Sequence, residues 1–304
     1  MTDDDGTLAE LFDRLGCEIA LCVQALDGAA EFTLAADRQV TPGSTMKVQV
    51  ALEAETWFAE GRLDPREQVA LPAEGRTPGP VGLSLFADEA TLSLRDMVTL
   101  MLTISDNPST DALLRRVGTG AVNATAARLG LTGTVVTSDL ATLVDAVARD
   151  LGRADWNDLD TWAATASAED HARADALLVA SPTLSPTTGT RTTPYDMARL
   201  LRLIWTDQAG PPEACARVRA VMARQLTRHR LAAGFRRPVA VAAKSGSLLG
   251  VVRNEIGVIT HPDGRRYAAA VFTRSRPGAD DAAVNAAIGT AAARAVAALR
   301  AAGA

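Results

Sequence analysis

Strand-like stretches lie near the two ends of this chain, and helical ones fill the middle. Residues 18–26 (EIALCVQAL) form an apolar run of strand length, followed by an Asp27-Gly28 turn and a return beginning at residues 31–34. The next strand-like stretches come some 200 residues later, at 239–243, 251–260 and 267–273. The last two are joined by His261-Pro262-Asp263-Gly264, a hairpin signal. Five strands split this way form one antiparallel sheet if the chain ends meet, and the helices between them become an inserted lobe. The expectation is an α+β fold, a five-stranded antiparallel sheet flanked by helices plus an inserted all-α lobe. The sheet lobe comprises 1–43 and 226–304, and the helical lobe 44–225. A cleft between two lobes is where a ligand site belongs.

The helical middle is punctuated by its own breakers. Thr41-Pro42-Gly43 stops the chain and a helix starts at Ser44; Met46, Val48, Val50, Ala51 and Leu52 surround its axis, so it should be buried. Residues 62–90 look irregular. Residues 92–101 form a helix that Ser93 can cap, and helices at 109–117 and 122–129 end at Gly118 and Gly130. Helical patches follow at 140–151 and 162–178, then a Ser/Pro/Thr-rich loop at 181–193, then helices at 195–205 and 213–225. Helices at 7–15 and 281–302 flank the strands.

Composition narrows the function. The net charge of −5 offers no footprint for nucleic acid or an anionic membrane surface. Cys17, Cys22 and Cys215 have neither metal-ligand spacing nor an even count, so no metal site is expected. The acidic start Met1-Thr2-Asp3-Asp4-Asp5 lacks a basic n-region and apolar h-region, and no run of 18 apolar residues stands out, so a cytoplasmic protein is expected.

Only two of the 31 basic residues are lysine, Lys47 and Lys244. A chain that otherwise uses arginine keeps lysine where a proton must be released or a compact charge is needed. Lys47 lies three residues after Ser44, on the same helix face. A neutral lysine there takes the serine proton and makes it a nucleophile, and Lys244 is a cation able to depress the Lys47 pKa. Ser105-Asp106-Asn107 follows a buried helix; it offers a hydroxyl for proton relay and an amide for a substrate carbonyl or for Lys47, although an Asx turn uses the same residue types. Lys244-Ser245-Gly246 ends an apolar strand, where Gly246 permits close approach. The N–H groups of Ser247 and Ser44 can form an oxyanion hole.

The ordered triple Ser44-x-x-Lys47, Ser105-Asp106-Asn107 and Lys244-Ser245-Gly246 resembles the penicillin-recognising serine hydrolases, most of all the class A β-lactamase-like group. Leu92-Ser93-Leu94-Arg95-Asp96-Met97 and Arg191-Thr192-Thr193-Pro194 are also similar to that family. The resemblance implies a cofactor-independent serine acyl hydrolase acting on an amide, lactam or ester in a small molecule or peptide. Ser44 would be acylated, Lys47 would be its base or base partner, Ser105 would shuttle a proton and Asn107 would contact the substrate amide. Lys244 and Ser245 would bind its anionic or carbonyl side beside Gly246 and Ser247. Arg253 would take a carboxylate, or else be a surface arginine.

One family feature is missing. The resemblance calls for a Glu-x-x-Leu-Asn stretch some 15 residues before Thr192-Thr193-Pro194, about 176–184, whose Glu activates the deacylating water; no such stretch occurs in the chain. The 139 positions separating Ser105 from Lys244 exceed the family spacing, with the excess in 135–190. Glu169, Asp170 and His171 are candidate replacement bases, or members of a solvated helix face. Efficient β-lactamase turnover is therefore not expected. The alternatives are a non-catalytic ligand- or β-lactam-binding protein, or an acyl trap or transferase like the penicillin-binding proteins. A Ser-His-Asp enzyme is disfavoured, because none of His171, His229 and His261 lies near a Gly-x-Ser-x-Gly elbow.

Overall fold

A computed structural model describes residues 3–302. In chain order the elements are α1 (Asp3–Arg14), β1 (Cys17–Ala25), β2 (Glu31–Leu34), α2 (Lys47–Ala59), β3 (Gln68–Leu71), β4 (Ala90–Ser93), α3 (Leu94–Thr103), α4 (Asn107–Val117), α5 (Thr119–Arg128), α6 (Leu140–Asp150), α7 (Trp156–Ala163), α8 (Ala168–Ala180), α9 (Pro194–Trp205), α10 (Pro212–Met222), β5 (Ala240–Leu248), β6 (Val252–Thr260), β7 (Arg266–Ser275) and α11 (Asp281–Ala302).

The five long strands form one antiparallel sheet in the order β2-β1-β7-β6-β5, the α+β layout expected from the sequence. β1 lies beside β7, so the chain ends meet at the centre of the sheet, and β5 is an edge. Both faces are covered, which explains why β1, β6 and β7 are buried almost along their length rather than alternating. On one face Leu8, Phe12, Val284, Ile288 and Leu299 of α1 and α11 pack on Ile19, Leu21 and Val271. On the other, Val48, Leu52, Met97, Leu113 and Leu201 of the inserted helices share a core with Ile256, Ala270 and Phe272. The sheet and the helical insertion are thus joined by one apolar cluster.

α11 is long and apolar enough by length and composition to cross a membrane, although Asn285, Thr290 and Arg294 interrupt its apolar run and half of its apolar window is buried. Residues 62–90 are less irregular than expected: β3 and β4 pair across a 2-stranded sheet. Four-residue strands are too short to show a period. The long 162–178 patch is two helices, α7 and α8, with Ser167 capping the second. Leu178 of α8 packs with Val147, Leu184, Val251 and Val252 in a small third cluster.

Candidate active site

Ser44 sits where a turn of 3-10 helix, Gly43–Met46, runs directly into α2. Gly43 adopts φ +54°, a conformation that favours glycine, and this turns the chain into the helix. Ser44 does not cap the helix, and its Oγ has no hydrogen-bond partner among the described residues. The turn is held from the sheet. Asn254 of β6 donates from Nδ2 to the carbonyls of Thr41 (2.9 Å) and Pro42 (3.0 Å) while its Oδ1 accepts from the Thr273 N–H.

Lys47 opens α2 and is fully buried. Its Nζ donates to the Ser105 carbonyl at 2.6 Å, to Asn107 Oδ1 at 2.7 Å and to Ser105 Oγ at 3.3 Å. Burial pulls its pKa down to about 7, against the opposing charges of Asp106 and Asp111. Lys47 is therefore divided between ammonium and amine at neutral pH. In the neutral form its two N–H groups still satisfy the two carbonyl oxygens. The lone pair then faces Ser105 Oγ, which becomes the donor.

Ser105 adopts φ +68°, a left-handed conformation rare for serine, which turns its carbonyl and its hydroxyl toward Lys47. Two buried contacts hold it there. Asp106 caps α4 through the Ser109 N–H (2.8 Å) and accepts the Leu83 N–H (2.7 Å). Asn107 donates to the Pro78 carbonyl at 2.7 Å, which fixes its amide so that Oδ1 meets Lys47.

The third motif runs along β5. Lys244 is fully buried, and its Nζ donates to the Ser245 carbonyl at 2.8 Å. Burial first, then the charge of Lys47, lowers its pKa well below the usual lysine value. The repulsion expected at Lys47 registers instead on Lys244. Gly246 is required by packing: a Cβ there would lie 2.7 Å from the Pro42 carbonyl and 3.1 Å from the Thr45 nitrogen. The strand edge therefore lies against the Ser44 turn. A Cβ on Gly43 would lie 3.5 Å from the Ser247 nitrogen, so the two proposed oxyanion donors come from adjoining backbone segments.

Arg253 is placed elsewhere. It is 8% exposed, its Nε donates to Asp281 Oδ1 at 2.7 Å and a second nitrogen pairs with Oδ2, so the N-terminal acid of α11 claims it. The cation that reaches the third motif is Arg230, which sequence reasoning missed. Its buried guanidinium donates to Ser247 Oγ (2.6 Å), to the carbonyls of Gly246 (2.9 Å) and Asn254 (2.7 Å), and to Asn285 (2.7 Å). Burial lowers its pKa to about 10.

A narrow cavity opens beside Ser44, walled by Pro42, Met46, Leu140, Leu143, Val144 and Leu248. Thr41, Gly43, Asn107, Ser138, Asp139 and Thr190 complete it. The N-terminus of α6 is pinned there by Asp111, whose carboxylate accepts the N–H groups of Leu140 (2.9 Å) and Ala141 (3.0 Å) and the Thr77 hydroxyl (2.7 Å). Asp139 is the one carboxylate in the lining, and its Oδ1 caps α6 through the Thr142 N–H at 2.9 Å.

Residues 6–299 match the family described as the beta-lactamase enzyme family. The chain belongs to the beta-lactamase enzyme family. A relative from Streptomyces cacaoi, the beta-lactamase regulatory protein BlaB, is 31% identical over 298 residues, spanning 92% of this chain and 93% of its own. Among solved structures, a beta-lactamase from Sphaerobacter thermophilus superposes with a TM-score of 0.75 at 23% identity, covering 97% of this chain and 95% of that one. A point mutant of PBP-A, solved as an acyl-enzyme complex with penicillin G, gives 0.73 at 21% identity with the same coverage. At these identities the structures establish the fold.

In this family member the span sought at 176–184 is the end of α8 and the loop after it, and none of it lines the Ser44 cavity. The wall beside Ser44 is instead α6, through Leu140, Leu143 and Val144. α7 and α8 follow that wall in the chain. Glu169, Asp170 and His171 lie on α8 outside the cavity lining; both acids face Arg173, at 2.6 Å and 3.7 Å, and the His171 ring rests against Trp162.

Proposed function

We propose that this family member is a serine acyl hydrolase that accepts the acyl group of a small lactam, amide or ester on Ser44 and releases it slowly. The observation that carries this is Lys47, fully buried, its pKa lowered to about 7 by that burial, and in contact with Ser105 and Asn107 of the second motif. Neutral Lys47, its lone pair turned from Ser105 Oγ to Ser44 Oγ, takes the Ser44 proton as Oγ attacks the carbonyl carbon. The N–H groups of Ser44 and Ser247 hold the oxygen as it gains charge. The proton passes through Lys47 and Ser105 to the leaving group, whose bond to the acyl carbon then breaks. Lys244, Ser245, Gly246 and Arg230 bind the side of the substrate that leaves, where the Arg230 guanidinium favours a carboxylate.

Slow release follows from the wall. Leu140, Leu143 and Val144 give the cavity an aliphatic face, and its one carboxylate, Asp139, already caps α6 through the Thr142 N–H. A water entering beside the ester therefore meets no dedicated general base. The test is stopped-flow kinetics with a chromogenic β-lactam: a burst of one equivalent followed by a much slower steady state is expected, and Ser44→Ala should abolish the burst. Multiple turnover with no burst would contradict slow release.

A regulatory role, in which the occupied state rather than the product matters, is the alternative. It is favoured by the same apolar wall, and the relative BlaB is named as a regulatory protein.

A further inference from the structure

The cavity beside Ser44 does not share its walls with the proton path. Lys47, Ser105, Lys244, Ser245 and Arg230 are absent from its lining, while Ser44 and Asn107 are in it. A group in this cavity is therefore the part of the substrate that stays on the serine, not the part that leaves. Its inner surface is aliphatic: Met46, Leu140 and Val144 are each at most 8% exposed, and Leu143 and Leu248 are half-buried beside them. Its volume is about 60 Å³, against about 10–15 Å³ for a single water on the same measure. That admits a few carbons in a row.

From this geometry we infer that the site selects substrates whose acyl group is a short, uncharged aliphatic chain, with Leu140, Leu143, Val144 and Leu248 setting the selection. The inference rests on the Ser44 acyl-enzyme proposed above. The reaction is an ordinary acyl transfer: the Ser44 Oγ–carbon bond forms, the carbon–leaving-group bond breaks, and the serine proton ends on the leaving group. An aliphatic chain displaces water from the cavity and gains about fourfold in rate per methylene while it still fits. A carboxylate or ammonium at its end must be desolvated among aliphatic side chains, and the one carboxylate in the lining, Asp139, already caps α6 through the Thr142 N–H.

The experiment is a series of p-nitrophenyl esters (acetyl, butanoyl, hexanoyl, dodecanoyl, succinyl and 4-aminobutanoyl), with second-order acylation rates read from p-nitrophenolate release and adduct mass. Butanoyl or hexanoyl should exceed acetyl by about tenfold or more, and dodecanoyl and both charged esters should fall below butanoyl. Val144→Ala, which enlarges the cavity without adding a polar group, should move the optimum to a longer chain, and Leu143→Asn should flatten the dependence. A flat series, a preference for either charged ester, or an optimum unmoved by both substitutions would overturn the inference while leaving the Ser44 acyl-enzyme standing. No adduct from any ester would overturn both.

Discussion

Lys47 carries its chemistry because water is kept from it, and its pH dependence follows. Protonated Lys47 has no lone pair, so acylation should rise about tenfold per pH unit below 7 and level off above it, following the pKa of about 7. Pre-steady-state acylation between pH 5 and 9 measures this, and a flat profile would count against Lys47 as the base. Lys47→Arg should lose at least about 10²-fold, because guanidinium does not release a proton in this range. Glu55 of α2 offers a second titration, away from the site. It is 5% exposed, its Oε1 has no hydrogen bond, and burial raises its pKa to about 7 despite Arg217 at 3.9 Å. A carboxyl that binds protons more readily when folded stabilises fully below its unfolded pKa near 4.5, and loses that contribution as pH rises through about 7. Glu55→Gln should therefore raise stability at pH 8 by up to about 3 kcal/mol and leave it little changed at pH 4. Denaturant midpoints at the two pH values would show it; equal shifts at both would mean that Glu55 is not titrating there.

Two elements meet at Ser44, and each can be changed separately. β5 can approach the Ser44 turn only because residue 246 has no Cβ; Gly246→Ala should cost about 1–3 kcal/mol of stability and slow acylation, since the turn and the Ser247 N–H must move apart. α6 supplies the opposite wall. Leu140→Glu puts a carboxylate in the cavity wall beside Ser44, and should shorten the acyl-enzyme lifetime by about 10²-fold or more. Adduct half-life by mass spectrometry decides this, and an unchanged lifetime would show that some other group limits release. The three motifs were legible in the sequence because each is local, and so was the Ser93 cap of α3. The wall was not: Leu140, Leu143 and Val144 look like ordinary core, and nothing local ties them to Ser44. Arg230 and Asn254 escaped for a related reason. Asn254 holds the carbonyls of Thr41 and Pro42 across more than 200 residues of sequence, and no local pattern announces such a contact.

At the scale of the molecule, a chain whose strands sit at its two ends must close them around its helices. β1 beside β7 is that closure, and one apolar core joins the sheet to the helical insertion. The sheet was legible because its strands are long, apolar and bounded by turns; the pair β3 and β4 was hidden by brevity. The closure brings Ser44, Ser105 and Lys244, on three separate elements, into one site, so the central claim is chemical: this site acylates at Ser44. Intact-mass spectrometry after incubation with a reactive β-lactam and, separately, with an activated ester tests it most directly, with Ser44→Ala as the comparison. A single long-lived adduct, mapped by peptide digestion to Ser44 and absent in the variant, is the predicted result. An adduct that persists in Ser44→Ala, or the lack of any adduct or turnover with either reagent, would contradict it.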